Sequence, residues 1–228
     1  MTAIECSVVI PTRDRPGQLQ DCLAAVAAQT MARHRFEVVV VDDGSRVPVA
    51  PQLAAWQNRL TIRHARSAGG GPSTARRAGT ALASGRWLAF TDDDCVPEPG
   101  WLAALERALM STPGALVGGR TRNLLSGSPP AETSQLIGDI VADYYNADRR
   151  RPRFFSSNNM AVDAGPLGDL GGFDAAFVTA EDRDLCDRWR AAGRPLVLAA
   201  DAVVGHAHHM SVAGFIRQHA GYGRGAYH

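Results

Sequence analysis

The first half of the chain alternates short apolar runs with segments in which apolar residues recur at helical spacing. Strands are predicted over the apolar, β-branched runs at 6–11, 36–41, 61–65 and 86–91. Helices are predicted over 16–28, and over 73–83 after the glycine turn at 69–71. Because strands and helices alternate, we predict right-handed crossovers and a mostly parallel, doubly wound α/β sheet with helices on both faces.

The second half is less regular but continues the mixture of strands and helices. Its predicted elements are strands at 116–121, 158–162, 195–198 and 202–204, and helices at 131–146, 181–191 and from about 211. No stretch between them has the composition of a linker. We therefore expect one domain over residues 1–228.

Composition excludes several classes of function. The 228 residues carry a formal net charge of +1 and are 45% hydrophobic, which excludes intrinsic disorder and a nucleic-acid-binding tail. All 24 residues counted as lysine or arginine are arginine. The lack of lysine excludes lysine Schiff-base chemistry, pyridoxal phosphate anchoring and a Walker A lysine.

The cysteines and the apolar runs bear on the cellular setting. Cys6, Cys22, Cys95 and Cys186 are scattered without a C-x-x-C pair, so neither a structural zinc site nor a disulfide framework is indicated. The longest apolar runs are strand-sized, and neither a signal peptide nor a transmembrane helix is predicted. We expect a reduced, cytoplasmic protein, with peripheral membrane contact left open.

Acidic clusters follow two of the predicted strands. Asp42 and Asp43 follow the second strand, and Asp92, Asp93 and Asp94 follow the fourth. In a parallel sheet these strand ends meet at one edge, where carboxylates repel one another unless a cation or hydrogen-bond donors compensate. Asp92 and Asp94 share one side of an extended segment and suit Mg²⁺ or Mn²⁺, which would hold a diphosphate. The alternative is a solvated turn or a helix cap.

Two groups in the second half are further candidates. Glu181 and Asp182 begin a predicted helix, where they fit either a general base or helix caps that suit the macrodipole. His206, His208 and His209 follow a predicted strand. A neutral imidazole there would complete an Mn²⁺ site, and the alternative is a set of hydrogen-bonded polar side chains.

Arginines supply candidate contacts to an anionic ligand. Arg76 and Arg77 lie in the helix after the glycine turn, and a guanidinium suits bidentate phosphate binding. The G-x-G-x-x-G fingerprint is absent after the first strand, which disfavours a dehydrogenase. The arginine-rich run at 149–153 is interpreted as a solvated loop, with a lid over an anionic ligand or a membrane-facing loop as alternatives.

A set of sequence segments occurs in an order that matches a known family. The segments are SVVIPTRDRPGQL, VVVVDDGS, STARRAG, LAFTDDDCVPEPGWL, NNMAV, GGFDAAF, EDRDLCDRWRAAG and the histidine after AVV. In this order they closely resemble glycosyltransferase family 2, over nearly the whole chain. The resemblance implies the GT-A fold, a Rossmann-like form of the predicted sheet, and sugar transfer from a nucleotide donor with inversion. It also implies a nucleotide-binding half over 1–115 and an acceptor-binding, catalytic half over 116–228.

The resemblance implies roles for residues on the nucleotide side. It implies a nucleotide pocket lined by Pro11, Thr12 and Arg13, a contact from Asp42 or Asp43 to the base or ribose, and Arg76 near the diphosphate. The triplet 92–94 matches the family's D-x-D element. Asp94 would then be the metal ligand, with Asp92 nearer the ribose or sugar and Asp93 beside the nucleotide.

The resemblance also implies a catalytic base and a second metal ligand. Asp182 matches the aspartate of the family's E-D element, the presumed base, with Glu181 in reserve, and His206 matches a metal-binding histidine. The implied reaction is a single displacement. Asp182 takes the proton of the acceptor hydroxyl, and Mn²⁺ or Mg²⁺ stabilises the departing nucleoside diphosphate.

The same resemblance implies the substrates and the number of sugars transferred. A uridine diphosphate sugar is the first expectation for the donor, and the acceptor is a small molecule, a glycan or a peptide. Gln218 is not followed by the R-W pair of processive synthases, which favours transfer of one sugar.

The chain departs from the family's pattern at one position, because Arg77 stands where relatives often have asparagine. The chain stops at His228, inside an amphipathic final helix, so we expect a catalytic domain of a longer protein.

Two other functions stay open. A sugar nucleotidyltransferase also uses a Rossmann-like sheet and an aspartate-bound metal, but its basic glycine loop is only loosely imitated by residues 12–17. A non-catalytic module would bind a nucleotide sugar with metal and never turn it over.

Overall fold

The computed structural model describes residues 3–177 and 179–225, and it contains one eight-stranded sheet. The strands are β1 (Cys6–Thr12), β2 (Phe36–Asp42), β3 (Ile62–Arg66), β4 (Trp87–Phe90), β5 (Cys95–Pro97), β6 (Leu116–Asn123), β7 (Met160–Asp163) and β8 (Leu196–His206). The helices are α1 (Pro16–Ala27), α2 (Ala50–Leu53), α3 (Pro72–Leu82), α4 (Trp101–Ser111), α5 (Pro129–Tyr145), α6 (Ala164–Asp169), α7 (Glu181–Ala191) and α8 (Val212–Gly225). His228, where the chain stops, lies outside the described residues.

The sheet is parallel in its first half and mixed in its second half. Its strand order is β3-β2-β1-β4-β7-β6-β8-β5, and β1 to β4 run parallel. β7 is antiparallel to both β4 and β6, β8 is parallel to β6, and β5 is antiparallel to β8. From β1, the chain moves outward to β2 and β3 and then returns to place β4 on the other side. This reversal makes a topological switch point between β1 and β4, where ligands bind in open α/β sheets.

The central strands are buried on both faces, which explains their unbroken apolar sequences. Every residue of β1 and β2 is buried. On one face, Val8 and Val38 pack into a cluster with residues of α1, α2 and α4. On the other face, Val9 and Val39 pack with residues of α3, α6 and α7. The prediction of helices on both faces of the sheet is confirmed.

The first of these clusters draws on both halves of the sequence. It contains Cys6 and Val8 from β1 together with Ala202 and Val204 from β8. The two halves therefore share buried apolar surface around the first strand and the eighth. Among the described residues, no helix combines the length and the apolar character needed to cross a bilayer.

Several predicted elements differ from the observed ones. The strands predicted at 195–198 and 202–204 form one strand, β8, which continues through a bulge opposite Gly118 and Arg120 of β6. α2, α4, α6 and β5 were not predicted. β5 has only three residues and is held as a strand by pairing with β8, so its own sequence carries little signal for it.

Candidate active site

The candidate site lies at the carboxyl ends of β1, β2 and β4, where open α/β sheets form a ligand-binding cleft. Thr12 ends β1, Asp42 ends β2, and the aspartate triplet 92–94 follows β4. The end of β8 and the start of α7 reach the same cleft, because His206 contacts the triplet and Glu181 is linked to it through Arg76. The structure therefore brings together residues from both halves of the sequence.

Two members of the triplet are buried and depend on donors from the start of the chain. Asp93 and Asp94 are 3% and 5% exposed. The Thr12 hydroxyl donates to Asp93 Oδ2 at 2.7 Å. Arg15 Nη1 donates to Asp93 Oδ1 at 3.1 Å and to Asp94 Oδ2 at 2.8 Å. Burial raises the pKa of Asp93 to about 6, against the opposing effect of the Arg15 charge.

Asp94 also faces the end of β8. Asp94 Oδ1 lies 3.3 Å from His206 Nε2, because β5 pairs with β8 in a register that sets Cys95 opposite His206. Burial acts to raise the pKa of Asp94, but the hydrogen bond and charge of His206 and the charge of Arg15 outweigh it and lower this pKa to about 2. For His206, burial favours the neutral ring, but Asp94 outweighs burial and raises the pKa.

The donor set around Asp94 fits a divalent cation. One ligand atom each from Asp94, Cys95 and His206 lies within 4.8 Å of the others. Two ligands of an octahedral ion with bonds of about 2.1 Å lie about 3 Å apart. The separation of 3.3 Å between Asp94 Oδ1 and His206 Nε2 is close to that value. A carboxylate with an imidazole suits Mn²⁺ or a similar ion.

The other two histidines differ in position. The His208 ring lies 4.9 Å from the His206 ring, and burial and the charge of His206 lower the pKa of His208 to about 4. His209 is exposed. Of the three histidines, His206 is therefore the one that contacts the aspartate triplet.

Arg76 joins the triplet to α7. Its side chain is buried, and its Nη1 donates to Glu181 Oε1 at 2.7 Å while Nη2 donates to Asp92 Oδ1. The guanidinium also lies 5.7 Å from the centre of the Phe173 ring. A buried guanidinium between two carboxylates balances their charge. Whether Arg76 contacts a diphosphate stays a prediction, since both of its terminal nitrogens bind protein carboxylates here.

Glu181 and Asp182 occupy the first turn of α7, which begins directly after Ala180 with its positive φ of 67°. Glu181 is 6% exposed, and burial raises its pKa to about 7 despite the Arg76 charge. Asp182 is half-buried and accepts hydrogen bonds from the backbone amides of Arg183 at 2.8 Å and Ser157 at 3.4 Å. Burial raises the pKa of Asp182 as well.

The two aspartates after β2 hold loops. Asp42 accepts the backbone amide of Ser45 at 2.8 Å, and Asp43 accepts those of Gly70 at 3.0 Å and Gly71 at 2.9 Å. Asp43 also accepts the Ser67 hydroxyl at 2.6 Å. Asp42 and Asp43 thus shape the loops that border the cleft, and their contact with a base or ribose stays a prediction.

Of the remaining predicted residues, one is buried in β1 and the others lie at the rim of the site or on the surface. Pro11 is buried within β1, while the Arg13 side chain is 58% exposed and lies 3.9 Å from Asp43. Arg77 is exposed, as are the arginines at 149–151 and 153. Of these, Arg13 is the charged group positioned beside the cleft.

Sequence reasoning did not single out Arg15, Cys95 or Phe173. Arg15 carried a usable signal, because it is the residue before α1 and a cation is disfavoured at a helix N-terminus unless it has a local partner. The proximity of Cys95 to His206 and of Phe173 to Arg76 depends on strand pairing and loop packing. No local pattern indicates either contact.

Comparisons with known proteins agree with this architecture. The chain is 29% identical over 231 aligned positions to the pre-mycofactocin glycosyltransferase of Mycobacterium tuberculosis (strain CDC 1551 / Oshkosh), covering 97% of this chain and 47% of that protein. The chain thus spans about half the length of this curated relative.

Solved structures share the fold. The mannosyltransferase PcManGT from Pyrobaculum calidifontis, in complex with GDP-Man and Mn²⁺, superposes with a TM-score of 0.76 at 19% identity, over 99% of this chain and 63% of that one. TarS 1–349 from S. aureus, in complex with UDP-GlcNAc, superposes with a TM-score of 0.73 at 17% identity, over 93% and 61%. The predicted α/β GT-A fold class is confirmed. The family model described as "Glycosyl transferase family 2" matches residues 7–178, and the chain belongs to that family.

Proposed function

We propose that this chain transfers a single sugar, with inversion and with the help of a divalent metal, from a nucleoside-diphosphate sugar to an acceptor hydroxyl. The observation that carries the proposal is the arrangement around Arg76. Its guanidinium binds Asp92 of the aspartate triplet and Glu181 of α7 at the same time. The aspartate triplet, which would face the donor, and the first turn of α7, which carries the proposed base Asp182, are therefore linked by one side chain.

In the proposed reaction Asp182 is the general base. Glu181 is engaged by Arg76 and is nearly inaccessible, whereas Asp182 is half-buried as a residue and its carboxylate accepts hydrogen bonds from backbone amides. The raised pKa of Asp182 suits a base that works near neutral pH. It would take the proton of the acceptor hydroxyl as the oxygen attacks the anomeric carbon. A single attack of this kind inverts the configuration at that carbon.

Asp94 and His206 are the proposed ligands of a divalent cation, on the donor chemistry and spacing described above. A cation bound there would supply positive charge to the departing nucleoside diphosphate. Arg13, Arg15 and Thr12 lie at the same strand end. The two arginines are the cationic groups of this rim that would contact phosphate.

The nucleotide and the acceptor are proposed only as classes. The neighbouring structures hold UDP-GlcNAc and GDP-Man, so uridine and guanosine diphosphate sugars are the donors to test first. The absence of an R-W pair after Gln218 supports transfer of one sugar without chain extension. A small molecule, a glycan or a peptide with a free hydroxyl would serve as acceptor.

The first experiment is a thermal-unfolding panel. Uridine, guanosine, thymidine and cytidine diphosphates, and the corresponding triphosphates, are each added with Mn²⁺ or with a chelator, because a ligand that binds only the native state raises the unfolding midpoint. We expect one diphosphate to raise the midpoint with Mn²⁺ and to do so less with chelator. A shift with triphosphates alone would support a sugar nucleotidyltransferase and overturn the proposal.

A turnover assay follows with the sugar nucleotides of the diphosphate that binds. Release of the diphosphate in the presence of acceptor mixtures is expected, and proton NMR of the product reports the anomeric configuration. Retention of configuration would overturn the single-displacement mechanism. Donor binding without release for every acceptor class would support a non-catalytic binding module instead.

A further inference from the structure

The buried carboxylates after β4 have a counter-ion supplied by the protein itself. Asp93 and Asp94 are adjacent, 3% and 5% exposed, and both accept hydrogen bonds from the same nitrogen, Arg15 Nη1. Two neighbouring buried carboxylates repel each other strongly unless a positive charge lies close by. Arg15 supplies such a charge to both carboxylates.

Arg15 and the proposed cation position use opposite oxygens of one carboxylate. Asp94 Oδ2 accepts from Arg15 at 2.8 Å, whereas Asp94 Oδ1 faces His206 Nε2 at 3.3 Å. A cation held by Asp94 and His206 would therefore lie within a few ångströms of a guanidinium of like charge. At that distance like charges repel appreciably, even where solvent has partial access.

A diphosphate would remove this conflict. The Arg15 side chain is 42% exposed although its Nη1 binds both carboxylates, so it stays accessible to a diphosphate bound beside the triplet. A diphosphate between the guanidinium and the cation would be attracted to both charges. The attraction of both positive charges to the shared anion would then outweigh the repulsion between the Arg15 guanidinium and the cation.

We propose that Arg15 is a positioning residue that makes metal binding depend on the nucleotide. It holds Asp93 and Asp94, weakens the binding of a divalent cation by itself, and strengthens the binding of a nucleoside diphosphate with its cation. This inference rests on the proposed function, because it assumes that Asp94 and His206 hold the metal.

The test is the affinity for Mn²⁺ with and without nucleotide. Free Mn²⁺ is measured by electron paramagnetic resonance during titrations of wild type, Arg15→Gln and Arg15→Lys, alone and with saturating UDP or GDP. We expect Arg15→Gln to bind Mn²⁺ alone about tenfold more tightly than wild type, because one nearby positive charge is removed. The same variant is expected to bind UDP or GDP with Mn²⁺ about tenfold more weakly.

Two variants separate the charge effect from damage to the fold. Arg15→Lys keeps the charge and is expected to keep wild-type Mn²⁺ affinity without nucleotide within about threefold. Arg77→Gln removes an exposed arginine of α3 and is expected to change neither affinity. Thermal unfolding of each variant shows that the protein titrated is folded. If Arg15→Gln does not fold, the comparison of Arg15→Lys with Arg15→Met carries the test.

The outcomes distinguish this inference from the proposed function. If Mn²⁺ binds but its affinity without nucleotide is unchanged or weaker in Arg15→Gln, the role of Arg15 is overturned and the proposed function stands. If Mn²⁺ binds to no variant, with or without UDP and GDP, the metal requirement of the proposed function fails and the role of Arg15 fails with it.

Discussion

At the scale of single residues, the site is built from charges that balance one another out of water. Arg76 forms ion pairs with Asp92 and Glu181, and Arg15 forms ion pairs with Asp93 and Asp94. Asp182 differs from these carboxylates, since the hydrogen bonds to its side chain come from backbone amides. That difference is the basis for assigning the proposed proton transfer to Asp182.

Asp182→Asn is expected to reduce transfer by about 10²–10³-fold, which corresponds to about 3–4 kcal/mol in the barrier for losing one electrostatic element. An amide cannot accept the proton of the acceptor hydroxyl, but it preserves the shape of the side chain. Nucleotide binding, followed by the unfolding midpoint with UDP or GDP and Mn²⁺, is expected to stay near wild type.

Asp187→Asn is the matched control, since Asp187 is an exposed carboxylate on the same helix. It is expected to leave turnover unchanged. Loss of nucleotide binding together with turnover in Asp182→Asn would argue against the assignment of the base.

Arg76→Gln is expected to lower the free energy of unfolding by about 3–5 kcal/mol, because it leaves Glu181 buried without its cationic partner. The exposed neighbour gives the control, and Arg77→Gln is expected to change stability by less than about 0.5 kcal/mol. Urea unfolding followed by tryptophan fluorescence measures both. Equal stability of the two variants would show that the buried bridge contributes little.

At the scale of elements, α3 delivers Arg76 because it packs closely on the sheet. A Cβ added at Gly79, one turn after Arg76, would lie 2.4 Å from Val9 Cγ1 and 3.2 Å from Val41 Cγ2. The valines of β1 and β2 are buried and stiff at χ1, so they have little room to yield. The missing side chain at residue 79 thus lets the helix approach β1 and β2.

Gly79→Ala is expected to destabilise the protein by about 1–3 kcal/mol through overpacking, although alanine has the higher helix propensity. Gly17→Ala in α1 is the control, because no heavy atom lies within 4 Å of the added Cβ. It is expected to be neutral or stabilising. Denaturant midpoints of the two variants decide the matter, and a stabilised Gly79→Ala would show that α3 can move outward without cost.

The bounds of α7 could be predicted from the sequence, whereas those of β8 could not. α7 was predicted at 181–191 and is observed with the same bounds. Its acidic residues mark the first turn, and its buried residues Leu185, Cys186 and Trp189 recur at helical spacing. β8 was predicted as two pieces, since Asp201 interrupts the apolar pattern. β8 pairs with β6 both before and after Asp201, and a bulge lies between the two paired parts.

At the scale of the whole molecule, the site depends on contacts between distant parts of the chain. Thr12 comes from β1, Asp94 from the turn after β4, and His206 from the end of β8. The apolar cluster on one face of the sheet likewise includes residues of β1 and β8. The domain prediction over 1–228 stays a prediction, and the shared cluster supports it.

His206→Ala is expected to abolish most of the stabilisation that Mn²⁺ adds to a bound nucleoside diphosphate. A ligand at a hundredfold excess over its Kd stabilises the native state by about 2.7 kcal/mol, so the loss is measurable as a lower unfolding midpoint. The exposed His209 provides the control, and His209→Ala is expected to keep the full increment. An undiminished Mn²⁺ effect in His206→Ala would remove His206 from the metal site.

The sequence by itself determined β1 to β4, α1 and α3 in the first half, the membership of the family and the identity of the acidic groups. These properties depend on short-range periodicity and on the order of motifs, both of which are written locally in the chain. Asp92, Asp93 and Asp94 were thus identified as a strand-end cluster before any fold was known.

Only the tertiary structure decided which charges meet. Strand order places β5 against β8, and so sets His206 beside Asp94. The packing of α3 and α7 on one face of the sheet places Arg76 against Glu181, 105 residues away in sequence. The start of α1 places Arg15 on the carboxylates. Such pairings depend on how the whole sheet is assembled, because a side chain's long-range partner is set by topology and register and leaves no periodic trace in the sequence.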